Sequence, residues 1–147
     1  MKILRLAFGI ILGLIAITII TELIEFSTVK LLSGKSFEFL KNNQDEYFKI
    51  RNQFGVLLFK LFYNLLAAIT GGYLMTWVTK SYHKIGLYVL TGIQTISLIW
   101  GGFFSEFSNT APTWLWIALI VLTILGIYQG YNIRLKKDSK ILVTTRI

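Results

Sequence analysis

The sequence predicts an all-α protein, an integral membrane four-helix bundle. Three observations predict it. Hydrophobic residues make up 54% of the 147 positions, and the mean hydropathy is +0.64. Charged residues account for 15%, against about 25% in a typical soluble domain. The apolar residues are also gathered into four blocks of about 20 residues or more, enough to cross about 30 Å of hydrocarbon at about 1.5 Å per residue.

The first span, residues 6–26, follows Lys2 and Arg5. A basic start before an apolar run also describes a signal peptide. Here the run continues to Ile20, and Thr21-Glu22-Leu23-Ile24-Glu25 offers no small-residue cleavage site, so the segment reads as an uncleaved anchor. The connecting segment 27–53 is the one sizeable piece outside the bilayer. In it Phe37, Leu40, Tyr47, Phe48 and Phe54 recur at roughly helical spacing, with Lys41, Asn42, Asn43, Asp45 and Glu46 between them. That pattern suits a short amphipathic helix, either lying on the outer leaflet or capping the bundle. The second, third and fourth spans are residues 54–78, 85–104 and 112–133. Pro112 fits the first turn of the last helix, where a missing N–H costs nothing. A basic tail, 134–147, ends the chain. It reads as mobile, or as a segment that docks through Ile141-Leu142-Val143.

Basic residues set the orientation. Lys2 and Arg5 precede the first span, Lys80 and Lys84 separate the second from the third, and Arg134, Lys136, Lys137, Lys140 and Arg146 follow the fourth. The loop 105–111 carries Glu106 and neither Lys nor Arg. The positive-inside rule then places both termini in the cytoplasm. Lys30, Lys35, Lys41, Lys49 and Arg51 in segment 27–53 argue the other way, but the remaining three signals outvote them. Trp100, Trp114 and Trp116 fall near the outer boundary, and Trp77, Tyr82 and Tyr131 near the inner one, the headgroup levels that amphipathic rings prefer.

Several chemistries are excluded. The chain has no cysteine and one histidine, His83, so thiolate catalysis, iron–sulfur clusters and histidine metal clusters have no ligands. No HExxH, GxSxG or EF-hand spacing occurs. Ser33-Gly34-Lys35 lacks the preceding glycine and the strand–loop–helix setting of a phosphate loop. The expectation is no enzyme, no cofactor and no metal. The net charge of +8 lies mostly at the ends of the apolar blocks, which suits topology signals and anionic headgroups rather than nucleic acid.

What remains is polar chemistry at membrane depth. Lys60, Asn64, Ala67, Ala68, Gly71 and Met75 step by three and four and form one stripe of the second span. An ionisable group at membrane depth costs about 2.5–3.5 kcal/mol even on the mild insertion scale, so the stripe should face the bundle. Lys60 either snorkels to the surface or pairs with a carboxylate. Glu22 and Glu25, at the outer end of the first span, are the candidate partners, and Asn64 needs a partner on another helix or a water. Gln94 in the third span completes the candidate polar cluster of Glu22, Glu25, Lys60, Asn64 and Gln94. The candidate packing positions are Gly9 and Gly13, Gly71 and Gly72, and Gly126 and Gly130; the first and last pairs have GxxxG spacing. On an ideal helix the Gly9–Gly13 face lies opposite the Thr18–Glu22–Glu25 face. The first helix is therefore expected to meet its own bundle on one side and a second subunit or partner on the other.

The chain also resembles small bacterial inner-membrane proteins of unassigned function. The resemblance rests on Thr21-Glu22-Leu23-Ile24-Glu25 closing the first helix and on Leu65-Leu66-Ala67-Ala68-Ile69-Thr70-Gly71-Gly72-Tyr73 in the second. It rests further on Pro112-Thr113-Trp114-Leu115-Trp116-Ile117 opening the fourth and Gly130-Tyr131-Asn132-Ile133-Arg134 closing it. It implies the four-helix topology, an inner-membrane location and no activity. Two functions stay open. One is a non-enzymatic accessory or structural subunit that binds the lipid bilayer and a membrane-protein partner or a second copy. The other is a small transporter, channel or proton-coupled exchanger built on Glu22, Glu25 and Lys60.

Overall fold

A computed structural model describes residues 2–105 and 108–144. Glu106 and Arg146 lie outside the described residues, as do the side chains of Phe37 and of Lys140 and the Ile141-Leu142-Val143 patch. Among the described residues the fold is all-α, with helices α1 (Lys2–Ser33), α2 (Phe37–Asn42), α3 (Gln44–Arg51), α4 (Phe54–Thr79), α5 (His83–Ile99) and α6 (Thr113–Thr144). A 3-10 turn at Lys80–Tyr82 joins α4 to α5, and a π-helical turn at Trp100–Phe104 extends α5. Four helical segments are long and apolar enough to cross a membrane: Lys2–Ser33, Phe54–Thr79, His83–Phe104 and Thr113–Lys137.

Two ends differ from the sequence reading. Helix α1 continues past residue 26 to Ser33 and stops at Gly34. There φ is 64°, a left-handed conformation that suits a residue with no Cβ, and the Gly34 N–H donates to Lys30 O over 3.1 Å. Helix α6 likewise runs on to Thr144, so the segment read as a tail begins as a continuation of the last helix. The amphipathic segment is two short helices. Ser36 caps α2 by accepting from Phe39 N–H at 3.3 Å, and the chain breaks at Asn43 (φ −122°, ψ 71°) before α3. Leu40 on α2 and Val29 on the extension of α1 are both buried, and α3 packs against α1 and α4. The two helices form a cap over one end of the bundle.

Helix α4 is the spine. It packs most extensively against α6 and α1, and its small residues Ala67, Ala68, Gly71 and Gly72 are all buried. A Cβ on Gly13 would lie 3.0 Å from Gly71 O, and one on Gly71 would lie 2.8 Å from Gly13 O. On α6, a Cβ on Gly126 would lie 2.6 Å from Ala68 Cβ and 2.9 Å from Leu65 O. A Cβ on Gly130 would run into the Ile69 carbonyl and come within 2.7 Å of Tyr73 N. Backbone therefore meets backbone on both flanks of α4, the close approach that small-xxx-small spacing allows. Met75, fully buried, fills the junction of α1, α4 and α5, where Gly9, Gly13 and Gly86 leave it room.

Of the two opposed faces of the first helix, one was expected to meet the bundle and the other a partner; the Gly9–Gly13 face meets α4 and α5 of its own chain, and Glu25 of the acidic face meets α4 as well. The contact stripe on α1 steps by four, through Gly9, Gly13, Ile17, Thr21 and Glu25. Each step of four drifts by roughly 40° around a helix of 3.6 residues per turn. Faces that are opposite on a helical wheel thus meet the same neighbour at different heights. Of the aromatics placed near the two boundaries, Trp116 and Tyr131 face the bundle rather than its outside. Both are buried, Trp116 against Gly102 and Tyr131 with its hydroxyl 3.1 Å from His83 Nδ1, whereas Trp77, Trp100 and Trp114 are exposed.

Gly130→Ala and Gly72→Ala are expected to destabilise the monomer itself by about 1–3 kcal/mol, the usual cost of overpacking. Gly92→Ala, where a Cβ would meet nothing within 4 Å, should be neutral or slightly stabilising. Unfolding of each variant in detergent checks the contrast.

Candidate functional site: a buried charge cluster beneath the cap

The cluster is built where α1, α3 and α4 meet. Glu25 projects from α1 about two turns before its end, from the helix face that also carries Thr21. Lys60 and Tyr63 stand three residues apart on α4, hence on one face. Lys60 lies about 9 Å inside the start of α4 at Phe54, from the rise per residue. Tyr47 and Arg51, four residues apart, project from the same side of α3. The break at Asn43 and the turn at Asn52 set the direction of that short helix.

Glu25 is the hub. Its Oε2 takes the Lys60 ammonium as a hydrogen-bonded ion pair and accepts from the Tyr63 hydroxyl at 3.0 Å. Its Oε1 accepts from the Tyr47 hydroxyl at 3.2 Å and lies 2.9 Å from Arg51 Nε. That last contact is an ion pair without hydrogen-bond alignment, since Arg51 Nε has no directed partner. The three charged side chains are 10–13% exposed. A lone buried ion of this kind would be costly, and mutual pairing offsets much of that cost. The Arg51 guanidinium also lies over the Phe48 ring, 5.4 Å from its centroid. Burial, followed by the negative charge of Glu25, pushes the Tyr47 phenol above its ordinary value. The proton therefore stays on Tyr47 through neutral pH and keeps it a donor.

The residues singled out from sequence fall in three groups. Glu25 and Lys60 are brought together. Glu22 is exposed and lines the rim of the adjoining cavity without reaching Lys60, which Glu25 occupies. Asn64 lines the same cavity, but its Nδ2 donates to Lys60 O at 2.8 Å, within its own helix, rather than to another helix. Gln94 is half-buried on α5 and does not line the cavity. Sequence reasoning missed Tyr47, Arg51 and Tyr63. The i, i+3 spacing of Lys60 and Tyr63 was a usable signal, and the Tyr47/Arg51 pair at i, i+4 was another.

Beside the cluster is a cavity of about 480 Å³, walled by α1, α3, α4 and α6 and by Leu98 of α5. Asn52 ties the end of α3 to the loop before α6 by donating to Thr110 O. The cavity wall includes Trp116, whose buried Nε1 has no hydrogen-bond partner. Among the described residues no group of His, Cys, Asp and Glu is placed to hold a metal ion. No protein-family model, curated protein or solved structure matches the chain.

Removing one partner of the hub should cost more than removing the pair. Glu25→Gln or Lys60→Met alone is expected to destabilise by about 3–5 kcal/mol. For the pair to cost less than either single change, the coupling in a double-mutant cycle has to exceed about 3–5 kcal/mol, within the range of about 1.5–7 kcal/mol known for close charge pairs. Glu22→Gln with Lys60→Met should show a much smaller coupling. Denaturation in detergent measures all of these.

Proposed function

We propose that the protein is a non-enzymatic integral membrane protein whose charge cluster is a structural lock. The lock fastens the α2–α3 cap to the bundle and holds a surface for a partner within the membrane. The observation that carries the reading is the saturation of Glu25. Both carboxylate oxygens are engaged, by Tyr47 and Arg51 from the cap and by Lys60 and Tyr63 from the spine. A carboxylate that relays protons must exchange its partners, and a hub with four partners from two helices does so only by releasing the cap. The lightly buried helices α1 and α5 suit partner or lipid contact. Their most apolar stretches are 17% and 11% buried, against 39% for α4 and α6. Orientation follows the Lys/Arg distribution, with both termini cytoplasmic and the cap outside, in a bacterial inner membrane.

The second reading, a small transporter or proton-coupled exchanger, is favoured by one observation, the charged cavity next to Glu25. Reconstitution separates the two. Liposomes carrying the protein and an internal pH dye should leak protons no faster than empty ones, and Glu25→Gln should change stability alone. A Glu25-dependent flux overturns the lock. Reporter fusions in segment 27–53 and at the C-terminus test the orientation, and a cytoplasmic signal from the cap rejects it.

A further inference from the structure

The cavity beside the lock has an uneven charge and donor inventory. Its buried charges are Glu25, Arg51 and Lys60, two cations and one carboxylate, which leaves one positive charge in excess. Both oxygens of Glu25 are taken, and among the described residues the other acid on the cavity wall, Glu22, is exposed rather than buried beside the two cations. Donors are also in excess. The Lys60 ammonium carries three N–H groups and the Arg51 guanidinium five, and Glu25 accounts for a minority of them. The Trp116 indole, a donor and never an acceptor, is buried on the wall with Nε1 unpartnered. An uncompensated buried charge and an unpaired buried donor both cost free energy that a guest bearing an oxyanion would recover. The fourth wall charge has the other sign and another place. Glu22 is exposed at the rim, three residues before Glu25 on α1.

The geometry points to a binding site for a zwitterion, its oxyanion seated against Lys60, Arg51 and Trp116 and its ammonium at Glu22. The class is an amino phosphodiester, the chemistry of an ethanolamine phospholipid headgroup or of soluble glycerophosphoethanolamine. A phosphodiester carries one negative charge, which matches the surplus, and a primary ammonium gives Glu22 a hydrogen-bonding counter-ion. The cavity also offers Phe48, Leu98 and Leu119 as apolar wall for the stem of a lipid. It sits about 9 Å inside the start of α4 and under a cap that does not span the bilayer, a level suited to headgroups. The π-helical turn Trp100–Phe104 adjoins it. Gly102 of that turn packs on the Trp116 ring, and such turns recur at functional sites. This inference rests on the membrane placement proposed above and not on whether Glu25 moves protons. The lipid measurements below and the flux measurement therefore fail separately.

The test uses the full chain purified in detergent and stripped of lipid, with native mass spectrometry and thermal unfolding as readouts. The probes are phosphatidylethanolamine, phosphatidylcholine, phosphatidylglycerol and soluble glycerophosphoethanolamine. The ethanolamine lipid is expected to bind tightest and to raise the unfolding midpoint most. Glu22→Gln should remove its preference over the glycerol lipid, a factor of up to about fivefold for one exposed ion pair. Trp116→Phe should weaken both lipids by about fivefold, the loss of one hydrogen bond. Should that variant fold poorly without lipid, Glu22→Gln, an exposed substitution, carries the decision. Binding of soluble glycerophosphoethanolamine as tight as the lipid supports the site and assigns it to a soluble zwitterion. Equal binding of all three lipids, indifferent to Glu22→Gln, overturns the proposal, and so does a preference for the glycerol lipid.

Discussion

Helices surrounded by hydrocarbon gain little by hiding apolar side chains from one another, because lipid is as apolar as they are. Their association has to come from close packing and from polar groups that find each other. Helix α4 supplies both along its length. Toward its C-terminal half, Ala67, Ala68, Gly71 and Gly72 let α1 and α6 approach until backbone touches backbone. Toward its N-terminal half, Lys60 and Tyr63 replace that contact with an ion pair and a hydrogen bond to α1. The remaining elements are arranged around this one helix. Helix α5 packs on α6, α4 and α1 and keeps most of its surface outward.

The cap is where the segment between α1 and α4 becomes part of the fold. Helices of six and eight residues are too short to be stable alone in water. Tertiary contacts hold them: buried Leu40, the Tyr47 and Arg51 contacts to Glu25, and the Asn52 bond to Thr110 O. Arg51 and Tyr47 also change what Glu25 can do. With Lys60 alone the carboxylate would have an open oxygen and a choice of partners. With all four partners, three hydrogen-bond donors and one ion pair, it is a fixed point joining three helices.

The all-α class and the four apolar blocks were legible because lipid imposes a length and a composition that no fold-specific detail can disguise. The glycine pairs were legible as sites of close approach, but their partners were not. A helical wheel assumes a straight seam, whereas α1 contacts α4 along residues spaced by four, so Gly9 and Glu25 share a neighbour despite lying on opposite faces. The same drift decides between Glu22 and Glu25, a choice that composition and depth alone leave even. Tyr47 and Arg51 were legible as a pair on one helix face but not as partners of Glu25, for another reason. Their direction depends on the break at Asn43, and one amphipathic pattern describes a single helix as readily as two. Trp116 was read as a boundary aromatic because Trp favours headgroups. Its burial inside the bundle, which that preference does not foretell, depends on Gly102, adjacent in space but 14 positions earlier in the chain.

A single gradient along α4 accounts for both the tight and the open end of the bundle. The distance between packed helices follows the size of the side chains at the contact. From Ala67 to Gly72 that size is minimal, and backbone meets backbone across the seam. From Phe54 to Asn64 the inward positions hold Leu57, Lys60 and Tyr63, with Leu115, Trp116 and Leu119 facing from α6. Large and charged side chains pack with less freedom than small apolar ones, since each charge must also keep its partner. The space they leave is the cavity beside Glu25. Lock and cavity are therefore two consequences of one feature. The spine ends in residues too large and too polar to close it, and the cap lies over what they leave open.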